Sequence, residues 1–335
     1  MKKIISFLNT DIKIINSYFL FTIVLIILVC VGYSSYALFS FTKTSTNVIE
    51  GTVGELKKSG VDTLIKLTNN QNNSGLYTIT HEADTTLQIG TNESVTEYRY
   101  RGASPKNYVT FNNEVWRIIG IFPTDDGTGN IENRIKLIRN ESIGKYYWNT
   151  SSSNNWARPA TLNTYLNETY LSSLTSEAQN MIGSSKYYLG GFSSDNITSV
   201  YMYKYERKIS GSSSYYGNNP TNWLGKLALM YASDYGYASA NCETKVLYNL
   251  SDSTQDLRAC NDTNWLYNIK TYEWLLSQCS IININTFSVN IHGYIETATT
   301  VYNSQYAVRP VVYLTFSVQI TGGNGTSSNP YTLGL

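Results

Sequence analysis

Residues 98–122 read YRYRGASPKNYVTFNNEVWRIIGIF. β-Branched and aromatic residues recur in period-two order on both sides of Asn112-Asn113, the pattern of two antiparallel strands joined by a two-residue turn. Asn tolerates the positive φ that such a turn requires. In the second strand Val115, Ile119 and Ile121 fall on one face and Trp116, Ile118 and Phe122 on the other, so burial on both sides is expected. A sheet covered on each face follows.

Downstream, a third strand is predicted from Ile135 to Arg139. The loop before it, PTDDGTGNIEN (123–133), does not match the spacing of an EF-hand and reads as a solvated hairpin turn. Between Thr161 and Ile182, apolar residues at spacings of three and four (Leu162, Tyr165, Leu166, then Leu171, Leu174, Ala178) predict two short helices. Asp195 is expected to cap a further helix reaching Lys208, with Ile197, Val200 and Tyr201 on its apolar side. Residues 210–222, rich in Ser, Gly, Tyr and Asn, predict a surface loop. Strands return in the C-terminal third, ending with YAVRPVVYL (306–314) and a turn at Gly322-Gly323. Strands, then helices, then strands make the domain α+β.

Upstream, residues 40–96 are rich in Thr, Asn, Ser and Gly and are expected to form a stalk with one short helix between Val53 and Leu67. The globular domain is then residues 97–335. Tyr18 to Phe39 carries no charge, and thirteen of its residues are Leu, Ile, Val or Phe. Their summed transfer free energy, roughly −4 to −8 kcal/mol, favours insertion into a bilayer. Lys2, Lys3 and Lys13 precede this segment, so residues 1–17 are expected in the cytoplasm, residues 18–39 as a transmembrane helix, and the rest outside the cell. Ser35-Tyr36-Ala37 also fits a signal-peptide cleavage site, with secretion after Ala37 as the alternative. The stretch SYALFSFTKTSTNVIEGT resembles the exported N-termini of camelysin-type matrix proteins, without their acidic residue after the Phe-Ser pair.

Cys242, Cys260 and Cys279 lie in the exported part, where thiols pair. Cys242 and Cys260 flank a polar loop and are the expected disulfide; Cys279 is left over, as a buried or a reactive thiol. The charge balance, 25 basic against 24 acidic residues, gives no phosphate-seeking surface, so nucleic acid is not an expected partner. Two histidines, His81 and His292, lie far apart in sequence and give little material for a metal centre or a Ser-His-Asp triad; no metal or cofactor is expected. Among carboxylates, Glu114, Glu206 and Asp234 are the candidates; a pair such as Arg309 with Asp234 or Glu206 would be a structural clamp, whereas general acid/base work would need two carboxylates facing one cleft. Tyr is abundant, with 29 residues. Tyr-, Ser- and Asn-rich surfaces make good binding sites. Within GSSSYYGNNPTNW, Tyr215, Tyr216 and Trp223 are the candidate binding residues, exposed for stacking on a ligand.

Three stretches carry a resemblance: residues 98–122, KLALMYASDYGYA (226–238), and the C-terminal YAVRPVVYLTFSVQITGGNGTSSNPYTL. Over about residues 95–333 they resemble an uncharacterised exported domain of Gram-positive bacteria. That domain is similar in turn to the C-type-lectin-like fold shared by formylglycine-generating, sulfatase-modifying enzymes and phage receptor-binding variable proteins. The resemblance implies a lectin-like fold for the ectodomain; the lack of catalytic motifs and the Tyr-rich surface lead to the expectation that it binds a glycan or protein ligand at the cell surface without catalysis. A cysteine-dependent oxidoreductase, using Cys260 and Cys279, and a structural envelope protein are the alternatives.

Overall fold

Asn112 and Asn113 have φ angles of 54° and 58°, the left-handed pair that closes a two-residue hairpin. In the computed structural model, which describes residues 19, 21–29, 58–89, 93–192, 198–209, 216–247, 255–267 and 271–335, this turn joins β3 to β4. The chain divides into two units, Met1–Lys57 and Lys58–Leu335. In the first, residues 21–29 are helical and their apolar side chains are exposed. No helix among the described residues is long and apolar enough to cross a membrane. Most of the expected span 18–39, and Ala37, lie outside the described residues.

The second unit is mixed α+β and mostly sheet. Its strands are β1 (Gly75–His81), β2 (Val95–Arg101), β3 (Tyr108–Phe111), β4 (Glu114–Asp125), β5 (Ile131–Arg139), β6 (Lys145–Tyr147), β7 (Ser185–Tyr188) and β8 (Asn222–Gly225). They continue with β9 (Leu227–Ala228), β10 (Glu273–Gln278), β11 (Asn285–Val289), β12 (Ile295–Thr300), β13 (Gln305–Ala307), β14 (Val311–Tyr313), β15 (Gln319–Gly322) and β16 (Thr332–Gly334). Among the described residues, seven strands form one sheet in the order β1-β2-β4-β5-β14-β9, with β3 on β4. Five form a second, β12-β11-β10-β13-β6.

β4 is buried on both faces through Trp116, Ile118, Ile119, Ile121 and Phe122. Strict alternation does not hold along it. The register against β5 shifts between Ile118 and Gly120, so Ile119 is the extra residue of a bulge and both isoleucines turn inward. Gly120 is required there, because a Cβ would lie 2.1 Å from the Tyr98 carbonyl oxygen. Val115, expected inside, is 45% exposed: it stands next to the turn, before the strand enters the core. β5 begins at Ile131, four residues before the expected start, because the turn itself is short.

The helices are α1 (Gly60–Ile65), α2 (Thr161–Thr164), which runs through a π-helical turn (Tyr165–Tyr170) into Leu171–Ser173, and α3 (Ser176–Met181). After these come α4 (Ser199–Arg207), α5 (Ala232–Tyr237) and α6 (Gln255–Asp262). The expected helices at 161–182 are present. α4 is capped by Thr198, whose side chain accepts from the Tyr201 backbone N–H; Asp195 and Ile197 lie outside the described residues. Its inner face is Met202, Tyr203, Glu206 and Arg207, while Tyr201 points to solvent.

The stretch expected as a stalk is, from Lys58 on, part of the folded unit. β1 pairs along its whole length with β2, and Val61, Leu64 and Leu76 are in the core. YAVRPVVYL is split between the two sheets, β13 in the second and β14 in the first. At the crossing, Arg309 donates to Glu273 of β10 through Nε (2.6 Å) and Nη2 (2.8 Å), and to the Leu266 carbonyl. Arg309 therefore clamps Glu273, not Asp234 or Glu206, because β10 is the strand beside the crossover.

Candidate functional site

Of the residues expected to bind, Tyr215 lies outside the described residues and Tyr216 is 39% exposed. Trp223, expected to be exposed, is half-buried on β8, edge-on to Trp156 at 6.2 Å and beside Tyr187 at 5.8 Å. Its ring packs over Gly225 and is no free stacking face. Cys242 and Cys260 are bonded, with Cα atoms 6.0 Å apart. Cys279 is a buried free thiol.

The structure instead brings charge together around β2. Glu97, Arg99 and Arg101 share one face of this strand by period two. Arg99 donates through Nε to Glu97 (2.5 Å) and through Nη1 to Asp234 (2.8 Å), and Lys136 donates to the other oxygen of Asp234 at 2.5 Å. Asp234 sits in the first turn of α5 and also accepts from the Tyr231 N–H, so helix capping fixes it for both cations. Burial alone would raise its carboxyl pKa, but Lys136 and Arg99 hold it below the usual carboxylate range. Burial lowers the Lys136 ammonium to about 8, with Asp234 opposing. Glu206 of α4 accepts from Ser233, Ser277 and Arg207; burial raises its pKa, and these partners only partly offset the rise.

This network reaches the surface at His81. Its Nε2 lies 3.0 Å from Glu97, and its ring stacks on Tyr203 with centroids 3.6 Å apart. Against burial, Arg99 and then His81 hold the Glu97 carboxyl well below its ordinary value. His81 lines a cleft of about 490 Å³ over β1. Tyr77, Tyr237 and Val200 form apolar wall; Arg101, Glu243, Lys204 and Glu82 bring charge of both signs.

The cleft walls are fixed locally. The Arg101 side chain is 9% exposed, lies over the Tyr77 ring at 4.1 Å, and donates through Nη2 to the Asn70 and Asn72 carbonyls. Gly102 follows with φ 94°, and a Cβ there would lie 2.3 Å from the Asn73 oxygen, so only glycine lets this loop close. Asn241 donates to Asn73 across the loops, and the next residue is Cys242. The disulfide thus ties the Glu243 wall to α6.

Such a cleft suits small polar ligands, being within the usual range of about 300–1,000 Å³ and offering few, fixed polar groups. Glu82 is exposed and Glu243 lies beside Arg101, so neither carboxyl sits in the apolar pocket that makes a general acid. No group of three or more metal-ligating side chains occurs among the described residues. Sequence reasoning did not single out Arg99, Arg101 or His81. The alternating EYRYR of β2 was the available signal, since a strand with charge at every second position needs partners for each. Comparison with family models, curated proteins and solved structures finds no match.

Proposed function

We propose that this chain is a ligand-binding domain displayed at the cell surface, anchored through residues 18–39 or secreted after Ala37, with a lectin-like ectodomain. The observation that carries the binding assignment is the cleft over β1, whose walls are immobilised by loop hydrogen bonds and a disulfide before any ligand arrives. The Cys242–Cys260 bond supports export, because such bonds persist in oxidising compartments. The alternative oxidoreductase needs two accessible thiols. Cys260 is bonded and Cys279 is buried, which weighs against it.

Alkylation of the native chain, isolated from its own cells, tests export. Cys242 and Cys260 are expected to resist labelling until reductant is added, and Cys279 until the chain is unfolded. Free Cys242 and Cys260 in the isolated protein would contradict it. Thermal unfolding across a panel of sugars, amino acids and peptides tests binding, since a ligand at a hundred times its Kd stabilises by about 3 kcal/mol. A panel without any shift would favour a structural envelope role.

A further inference from the structure

Resting on the binding role just proposed, we infer that the cleft over β1 takes a small carboxylate-bearing ligand, received by Arg101. Arg99, Arg134, Arg139 and Arg309 supply one comparison, and Arg117, buried with no carboxylate partner among the described residues but with Nε donating to the Asn107 amide oxygen at 2.7 Å, supplies a second. In Arg99, Arg134, Arg139 and Arg309, Nε donates to a carboxylate, at 2.5, 2.7, 2.7 and 2.6 Å. In Arg101 the buried Nε has no hydrogen-bond partner. Its Nη2 is satisfied by two carbonyls, and its Nη1 reaches Glu243 only at 3.4 Å. Among the described residues, the Arg101 guanidinium has no carboxylate closer than 3.4 Å, and a hydrogen bond left unmade by a buried charged group is costly.

Arg101 lines the cleft, and its guanidinium is held in place by Tyr77 and the loop carbonyls. A carboxylate arriving from the cleft meets a guanidinium already oriented, whose weakly bonded Nη1 is the donor it competes for, the arrangement that makes charge-assisted hydrogen bonds strong. Glu82 and Asn70 also line the cleft and are acceptors for hydroxyl or ammonium groups beside that carboxylate. A sugar acid and a free amino acid share this chemistry.

The test is calorimetric titration of the full chain in detergent with glucuronate, glucose, alanine and alaninamide. The inference expects glucuronate over glucose, or alanine over alaninamide, by about ten-fold or more; which pair discriminates identifies the source. Arg101→Gln should remove the preference while leaving the circular dichroism of the domain unchanged. If that variant does not fold, Glu243→Gln carries the test: it removes the negative charge that competes for Nη1 and should tighten carboxylate binding about three-fold. Equal affinity for the carboxylate-bearing and carboxylate-free members of both pairs, or unaltered or weaker carboxylate binding in Glu243→Gln, overturns the inference. Neutral ligands that bind and perturb Tyr77 and Tyr237 would leave the binding role standing while this inference falls; absence of binding by any compound would remove both.

Discussion

Arg99 and Arg101 are two residues apart on one face of β2, yet their surroundings differ in kind. Arg99 lies between two buried carboxylates and over the rings of Phe122 and Tyr237, at 4.6 and 4.7 Å. Arg101 has one half-exposed carboxylate at 3.4 Å and an empty Nε. Strand geometry puts both on the same side; what changes is the element opposite. Behind Arg99 stands α5 with Asp234, whereas Arg101 packs on Tyr77 of β1 and bonds to the loops carrying Asn70, Asn72 and Glu243. Arg99 also leaves one buried nitrogen, Nη2, without a hydrogen-bond partner, so what separates the two is the pair of close carboxylates that Arg99 has and Arg101 lacks.

The largest break in this comparison is Asp234→Ala, which leaves Lys136 and Arg99 sharing a buried site with one carboxylate fewer. A loss of about 3–5 kcal/mol is expected in urea unfolding. A loss below about 1 kcal/mol would mean that the network is not closed. Reduction of Cys242–Cys260, 18 residues apart, should remove about 3 kcal/mol and loosen the Glu243 wall without disturbing the Asp234 network. Amide exchange resolves the two regions: faster exchange is expected at residues 241–247, not at β2.

The pH dependence of stability sharpens the contrast further. The folded chain releases the Lys136 proton near pH 8, whereas the unfolded chain holds it to about 10.4. Between these values the unfolded state binds more protons, so the contribution of Lys136 to stability rises with pH, by about 1 kcal/mol from pH 8 to 9. Lys136→Met should abolish that rise, and an unchanged slope would place its origin elsewhere. The smallest effect is expected far from both regions. Asn113→Gly suits the 58° φ and should change stability by only a few tenths of a kcal/mol, while Asn112 is retained because its side chain accepts from the Thr175 N–H at 2.7 Å.

What could be read in the sequence was local. The β3–β4 turn announces itself in Asn112-Asn113, and the helices at 161–182 in their spacing. The disulfide followed from two cysteines flanking a polar loop. The bulge at Ile119 left no mark, because Ile118 and Ile119 are equally apolar and only the approach of Tyr98 to Gly120 decides the register. β1 was hidden for the opposite reason: GLYTITH sits in a polar stretch, and its burial depends on β2 arriving beside it. Arg309 was expected to pair with Asp234 or Glu206, but sheet order brings it to Glu273. The candidate site was the least legible part, since Tyr77, His81, Arg101 and Glu243 meet only through the pairing of β1 with β2 and the loop carrying Cys242.

Urea unfolding of Arg99→Gln and Arg101→Gln, measured side by side, separates the two arginines. A loss of about 3–5 kcal/mol is expected for Arg99→Gln, which removes one partner from each of two buried carboxylates and leaves Glu97 to His81 and Asp234 to Lys136, and about 1–2 kcal/mol for Arg101→Gln. Equal losses, or a larger one at Arg101, would contradict the division between a closed network and an open cleft.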